Sequence, residues 1–377
     1  MSGALELRFL RQGGQTVEDI AGSLAAFLAT AQRDVAIAIY DFHVEDEPPQ
    51  VIARTLQDLH RRGVRVRILD HDEREVKREV PDNVPRPAAP PEYIDALGLD
   101  VRPVIGFGTL MHHKYVVVDE RHLWTGSMNW TQDSFTLQEN CIVRLDCAEV
   151  AAAYLRDFEE LWRRPKHLDK SGRFDSEWSD ATFGGQPVRV RPFFCPGRGP
   201  ELAALIGSRI ACASERILIC SPVLTSGPIL GALSDVVGRG KVPVTGVVDR
   251  TQMRDVLRQW GGLPKASWKP GAFRFVASKA GFSGKRSIPW GPHTVHDFLH
   301  AKLVVCDDWA FAGSYNHSRA GEENAENVLA IDGKAAADAV AETIREFAGR
   351  YALGPGDSWE GADPAAPSPP ATPSVPF

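Results

Sequence analysis

No apolar run in this sequence approaches the ~20 residues that a membrane-spanning helix requires, so no transmembrane segment is expected. Residues 1–14 carry arginines with no apolar stretch behind them, and no secretory signal is visible. Six cysteines (Cys141, Cys147, Cys195, Cys212, Cys220 and Cys306) lie scattered in apolar contexts without a CxxC pair. That pattern argues against a zinc site and for buried free thiols in a reducing compartment, so the expected localisation is cytoplasmic. A surplus of basic residues is also missing. The formal net charge is −6, which argues weakly against a polyanion-binding protein as long as charge is taken as a whole.

What is present is 377 residues with 43% apolar and 24% charged content, the composition of a soluble globular protein. The length exceeds the roughly 250–300 residues at which a single core stops growing, so two domains are expected. Residues 354–377 hold seven prolines, three acids and no Lys or Arg. They read as a disordered tail, and setting them aside leaves the rest at −3. A polar stretch over 166–186, rich in Gly, Ser, Asp and Lys, reads as a linker between a first domain (1–165) and a second (187–353).

Each domain repeats one order of elements. In the first, residues 17–31 read as a helix with Thr16 as N-cap, 35–40 as a strand, 49–62 as a helix and 64–69 as a strand running into Asp70. In the second the order recurs as helix 201–212, strand 217–223, helix 228–237 and strand 242–248, ending on Asp249. Helices at 148–163 and 334–351 close the two halves, each just after an Asp (Asp146, Asp332). Strands alternating with helices imply βαβ units. The expected class is therefore α/β, with mixed, mostly parallel sheets covered by helices on both faces.

Before each closing helix stands a repeated polar constellation. The first half has His112, Lys114 and Asp119, then Gly126, Ser127 and Asn129, then Glu139-Asn140; the second has His300, Lys302 and Asp307, then Gly313, Ser314 and Asn316, then Glu326-Asn327. The first three residues recur at an offset of 188 and the rest at 187. One HxKxxxxD would be weak evidence, whereas two with matching GSxN and EN followers mark an internal duplication. Side chains alternate faces along a strand, so His112 shares a face with Lys114, and His300 with Lys302. Asp119 and Asp307 fall on the opposite parity, which suits a structural ion pair or turn hydrogen bond better than substrate contact. Ser127 and Asn129, like Ser314 and Asn316, can turn a hydroxyl and an amide towards one point, and the glycines before them permit close backbone approach. A buried His and Lys on one face with no anion would be costly, and in both halves at once a phosphate resolves the cost. The bland reading of a lone histidine holds for His43, His60, His122, His167 and His293, and His113 lies on the wrong face.

These paired motifs resemble the HxKxxxxD motifs of the phospholipase D superfamily across both halves, with only the linker and tail outside the likeness. The resemblance implies two similar α-β-α sandwich domains about a pseudo-twofold axis, with both motifs meeting at one site. It implies a phosphodiesterase that needs no metal or other cofactor and works through a covalent phosphohistidine. His112, Lys114, Asp119, His300, Lys302 and Asp307 would be its catalytic residues, with His112 the nucleophile and His300 the acid. Ser127, Asn129, Ser314 and Asn316 would hold phosphate oxygens, and Glu139 and Glu326 would orient the imidazoles. Because both motifs are complete, a non-catalytic scaffold is disfavoured.

The substrate class is less constrained. The motif details look most like those of the superfamily's small bacterial endonucleases. Residues 254–302 hold nine Lys or Arg against two Asp, with seven aromatics interleaved. Trp268, Lys279, Lys285, Arg286 and Trp290 thus form a candidate nucleic-acid track, and a nuclease is favoured, with a helicase or ATPase as a conceivable partner. The same residues suit an anionic membrane surface, which makes a phospholipase D or phosphatidyltransferase the alternative.

Overall fold

The structure, a computed structural model, describes residues 3–43, 49–71, 94–106, 108–260, 263–289, 294–354 and 357–359. Seven strands belong to the first half: β1 (Gly3–Leu10), β2 (Asp34–Ile39), β3 (Arg65–His71), β4 (Asp100–Val104), β5 (Lys114–Val118), β6 (His122–Gly126) and β7 (Asn140–Asp146). Eight follow: β8 (Ser179–Phe183), β9 (Gln186–Cys195), β10 (Ile217–Ser221), β11 (Val244–Asp249), β12 (Ser283–Lys285), β13 (Leu303–Cys306), β14 (Trp309–Gly313) and β15 (Glu326–Asp332). They join into one sheet, ordered β12-β11-β10-β13-β14-β15-β9-β8-β1-β7-β6-β5-β2-β3-β4. The order reads alike from both ends, with β8 inserted at the middle. That is the pseudo-twofold duplication in structural form.

The α/β class stands, but the balance within the sheet is different from that expected. Only β1–β8, β2–β3, β3–β4, β10–β11 and β11–β12 pair in parallel, and the other nine pairings are antiparallel. Parallel pairing requires a crossover long enough for a helix. In each half such crossovers serve only the outer strands; β5 and β6, like β13 and β14, are joined by tight turns, and β6–β7 and β14–β15 by segments that each hold a short helix. The stretch read as a linker contributes β8, which pairs with β1 and β9 and so carries the sheet from one half to the other.

Helices cover both faces. Val17–Ala29 begins with a capping box, in which the Thr16 hydroxyl accepts from the Asp19 amide at 3.2 Å and the Asp19 carboxylate accepts from the Thr16 amide at 3.3 Å. This helix and Gln50–Arg61 bury their apolar stripes on one face of the first half, as Gly199–Cys212 and Gly227–Arg239 do in the second. The closing helices Ala148–Arg163 and Lys334–Arg350 share a single core. It holds Tyr154, Phe158, Val340 and Ile344, along with inward residues of β5 and β13. The halves are thus welded by apolar burial as well as by strand pairing.

Two further differences concern the chain's edges. Part of the stretch read as tail is docked: the Asp357 carboxylate lies 2.5 Å from the Arg250 guanidinium, and the Trp359 ring stands edge-on to Phe273 at 5.2 Å. All six cysteines are free, and Cys212 is exposed where the other five are buried.

Candidate active site

Each HxK segment enters the seam through a bond to the opposite half. The His112 amide donates to the Ala325 carbonyl at 2.9 Å, and the His300 amide donates to the Glu139 carbonyl at 3.0 Å. The two imidazoles face each other at right angles with centroids 6.3 Å apart, room for one phosphate group between them. Both rings are buried, and so are Lys114 and Lys302. Each lysine ammonium donates to the backbone carbonyl of the histidine two residues before it, Lys114 to His112 at 2.7 Å and Lys302 to His300.

The rings are held differently. Nδ1 of His112 lies 2.8 and 2.9 Å from the two carboxyl oxygens of Glu326, which leaves Nε2 as its reactive nitrogen. Nδ1 of His300 lies 3.1 Å from the Asn140 side-chain oxygen instead. Glu139, paired with Glu326 in the sequence repeat, does not reach His300. Its carboxylate is buried against the Lys285 ammonium (2.7 Å), the Tyr351 hydroxyl and the Gln12 amide.

A register shift accounts for this. Gly126 pairs with Ile142, whereas Gly313 pairs with Val328, so the first half fits one more residue between the paired positions than the second. In space Asn140 therefore stands where Glu326 stands, although the EN pairs match in sequence. The glycines at these turns are obligatory, since a Cβ would meet the Cys141 carbonyl oxygen at 2.0 Å or that of Asn327 at 2.1 Å.

The serines are also placed otherwise than expected. The Ser127 hydroxyl donates to Asn140 at 2.7 Å and accepts from the Cys141 amide at 2.9 Å, and the Ser314 hydroxyl accepts from the Asn327 amide at 3.0 Å. The adjoining strand presents its amides to these hydroxyls, so the serines brace the groups behind the rings. Asn129 and Asn316 are different: each Oδ1 is without a partner. A buried unpaired amide oxygen is costly unless a ligand completes it.

Asp119 and Asp307 lie at turns away from the rings. The Asp119 carboxylate accepts from the amides of Gln32, Arg33 and Asp34 at 2.8 to 3.0 Å, and Asp307 accepts from those of Ser214, Glu215 and Arg216. Both have positive φ, 51° and 52°. Their place in the motif is architectural, and neither can serve as a catalytic group. His113, beside His112, is wholly buried with Nε2 3.0 Å from an Asp157 oxygen.

Electrostatics are set by burial. Burial, and then the charges of Lys114 and Lys302, hold both imidazoles well below the ordinary histidine range. Burial brings Lys114 down to about 7 against the pull of Glu326 and Asp41, and it holds Lys302 well down, aided by Lys114. Burial pushes Glu326 up to about 8, opposed by Lys114, Ser314 and Lys302. An anion between the two lysines would reverse this penalty. Sequence reasoning passed over Tyr40, whose ring lies 4.8 Å from the Lys114 ammonium and 4.8 Å from the His112 ring. It also gave no role at the site to Phe298, edge-on to His300 at 5.2 Å, or to Asn140, named only as part of the repeat.

The substrate track is only partly placed at the surface. Lys285 is buried on Glu139, and Arg286 lies 3.4 Å from the Asp357 carboxylate. Trp268 and Lys279 are exposed, and Trp290 falls outside the described residues. Among the described residues no three His, Cys, Asp or Glu side chains group as a metal site would require, and no helix is long and apolar enough to cross a membrane.

The sequence model of a family described as cardiolipin synthase, PLD-like domain, matches residues 24–162 and 206–349. The mitochondrial cardiolipin hydrolase of Xenopus laevis is 33% identical over 135 residues, 36% of this chain and 57% of that protein. The 5'-3' exonuclease PLD3 of Bos taurus is 29% identical over 194 residues, 44% of this chain and 37% of that protein. The chain thus spans little more than half the length of the first of these relatives. Phosphatidylserine synthase from Haemophilus influenzae superimposes with a TM-score of 0.64 at 14% identity, over 92% of this chain and 86% of that one, a likeness of fold.

Proposed function

The chain belongs to the phospholipase D superfamily, and on that premise we propose that it is a metal-independent phosphodiesterase acting on phospholipid headgroups. One observation carries the chemistry. Two buried imidazoles face each other at 6.3 Å, each with Nδ1 tied back and Nε2 left to react. The substrate class is supported by the stretch of 33% identity to a cardiolipin hydrolase.

The asymmetry behind the rings supports His112 as the nucleophile and His300 as the acid. As the His112 Nε2 lone pair forms a bond to phosphorus, the ring gains positive charge, which a carboxyl group behind it stabilises. Glu326 stands there. The bond from phosphorus to the leaving oxygen breaks, and His300 delivers its Nε2 proton to that oxygen. The bound diester anion offsets the burial and lysine charges that hold the free ring neutral, so His300 enters the step as an imidazolium, and with only a neutral amide behind it gives up its proton readily. The now neutral His300 next takes a proton from water, whose oxygen attacks phosphorus and breaks the P–N bond. Lys114 and Lys302 offset the charge on the non-bridging oxygens, the task a metal performs elsewhere, and Asn129 and Asn316 are available to the same oxygens.

The test sets cardiolipin and phosphatidylglycerol vesicles beside single-stranded DNA, duplex DNA and RNA, all in EDTA. Release of phosphatidic acid or free headgroup with intact nucleic acids is expected. Cleaved nucleic acid beside intact lipid would move the assignment to the nuclease reading, which the likeness to an exonuclease supports. A helicase or ATPase partner belongs to that reading alone. Loss of all turnover in EDTA, restored by a divalent ion, would refute metal independence.

A further inference from the structure

Five large apolar side chains stand out as exposed among the described residues: Leu263, Trp268, Phe275, Ile288 and Val295, each 44–53% accessible. All fall between residues 263 and 295 of the sequence. Between Leu263 and Val295 the sequence has six Lys or Arg and no Asp or Glu, in a chain whose net charge is −6. Neither the catalytic chemistry nor the core uses these five residues.

The helix Lys269–Lys279 shows how the surface is made. Phe273, Val276 and Ala277 turn inward to the core. Trp268, Gly271, Phe275 and Ser278 recur at spacings of three, four and three and form one exposed stripe. Arg274 and Lys279 flank that stripe, and Leu263 and Lys265 extend it through the preceding turn, all four exposed. Gly227 and Gly238 on the neighbouring helix Gly227–Arg239 lie beside the Trp268 and Phe275 rings, so no side chain from those positions covers them. Ile288 and Val295 lie beside acids instead: the Ile288 amide donates to the Asp297 carboxylate, and the amide after Val295, that of His296, donates to the Asp133 carboxylate, each at 2.8 Å.

Along residues 263–279 exposed apolar groups are interleaved with four Lys or Arg and no Asp or Glu, which calls for a partner both oily and anionic. A single-stranded nucleic acid would stack its bases on aromatic rings. Leu263 is aliphatic and offers no such face, while Lys285 is buried and Arg286 is already beside Asp357. A bilayer of anionic phospholipid suits the stripe and the turn before it. We propose that the stripe on this helix, with the turn before it, docks the protein on an anionic phospholipid surface. Leu263, Trp268 and Phe275 enter the acyl boundary, while Lys265 and Lys279 lie among the headgroup phosphates. This rests on the phospholipid reading of the active site and adds how the substrate is approached.

The experiment is cosedimentation of the full chain with vesicles of phosphatidylcholine alone or mixed with cardiolipin. It is run beside binding to single-stranded DNA, turnover of bis(4-nitrophenyl) phosphate and hydrolysis of detergent-dispersed phospholipid. The pair Leu263→Ser/Phe275→Ser should lose on the order of tenfold in binding to the mixed vesicles. The pair Lys265→Gln/Lys279→Gln should lose on the order of twenty-five-fold, because each cation near an anionic surface contributes roughly fivefold. Both pairs should turn over the soluble diester as wild type does, which certifies their fold. Unchanged vesicle binding in both pairs would overturn the docking surface and leave the catalytic assignment standing. So would a loss confined to DNA. Vesicle binding that depends on these residues, without hydrolysis of dispersed phospholipid, would uphold the surface and sink the substrate reading.

Discussion

At the scale of single residues, the site is tuned by what stands behind each ring. Glu326→Gln keeps the shape behind His112 but removes the carboxyl group. Formation of the phosphoenzyme should slow by roughly 10²–10⁴-fold, as when a triad carboxylate becomes an amide, measured by rapid quench. Asn140→Ala should slow turnover of an alkyl ester more than that of a nitrophenyl ester, whose leaving group needs no proton. Equal losses on both esters would contradict the acid role of His300. Lys114 gives a pH signature. Its ammonium titrates at about 7, so the form that attracts an anionic diester is present below that pH and lost above it. On this basis kcat/KM should fall roughly tenfold per unit on the alkaline side. Lys114→Arg should remove that limb, and an unchanged profile would exclude Lys114 as its source. The histidines and lysines could be read from parity alone. Asn140 could not, because a one-residue difference in strand register is a property of pairing and leaves the EN repeat intact. Lys285 was misjudged for a related reason, since composition does not reveal whether a lysine faces solvent or a buried glutamate.

At the scale of elements, the third residue of each motif closes a turn. Asp119 and Glu120 both have positive φ, and the Arg121 amide donates to the Val118 carbonyl at 3.1 Å, the geometry of a tight hairpin between β5 and β6. Burial raises the Asp119 pKa, but bonds from the Asp34, Gln32 and Arg33 amides outweigh it and hold the carboxyl below its ordinary value. A depressed carboxyl stabilises the fold above its unfolded pKa, and that contribution is lost as pH falls through the folded value. Asp119→Ala should therefore cost roughly 1–3 kcal/mol at pH 7 and much less near pH 3, measured by urea unfolding. Turnover per folded molecule should not change. The six helices named from the sequence were legible from their periodicity and the central strands from their β-branched runs, whereas the helices Arg250–Trp260 and Lys269–Lys279 were hidden in what read as a basic, aromatic insertion. The balance between parallel and antiparallel pairing was not, because it depends on which strands a tight turn connects.

At the scale of the whole molecule, neither half holds a complete site. His112 depends on Ala325 and Glu326, and His300 on Glu139 and Asn140. Fragments cut between Gly184 and Gly185, in the turn from β8 to β9 where both glycines have positive φ, should each be inactive. Co-expressed, they should regain activity, because the shared core of the closing helices can reassemble them. Activity in either fragment alone would show that a single motif suffices. The exchange of supporting residues across the seam has a consequence for how such a protein changes. Were the site built by two identical chains, any substitution would appear on both sides of the axis, and nucleophile and acid could not be improved separately. Joined in tandem, the halves escape that constraint, so a carboxyl group can back one imidazole and an amide the other.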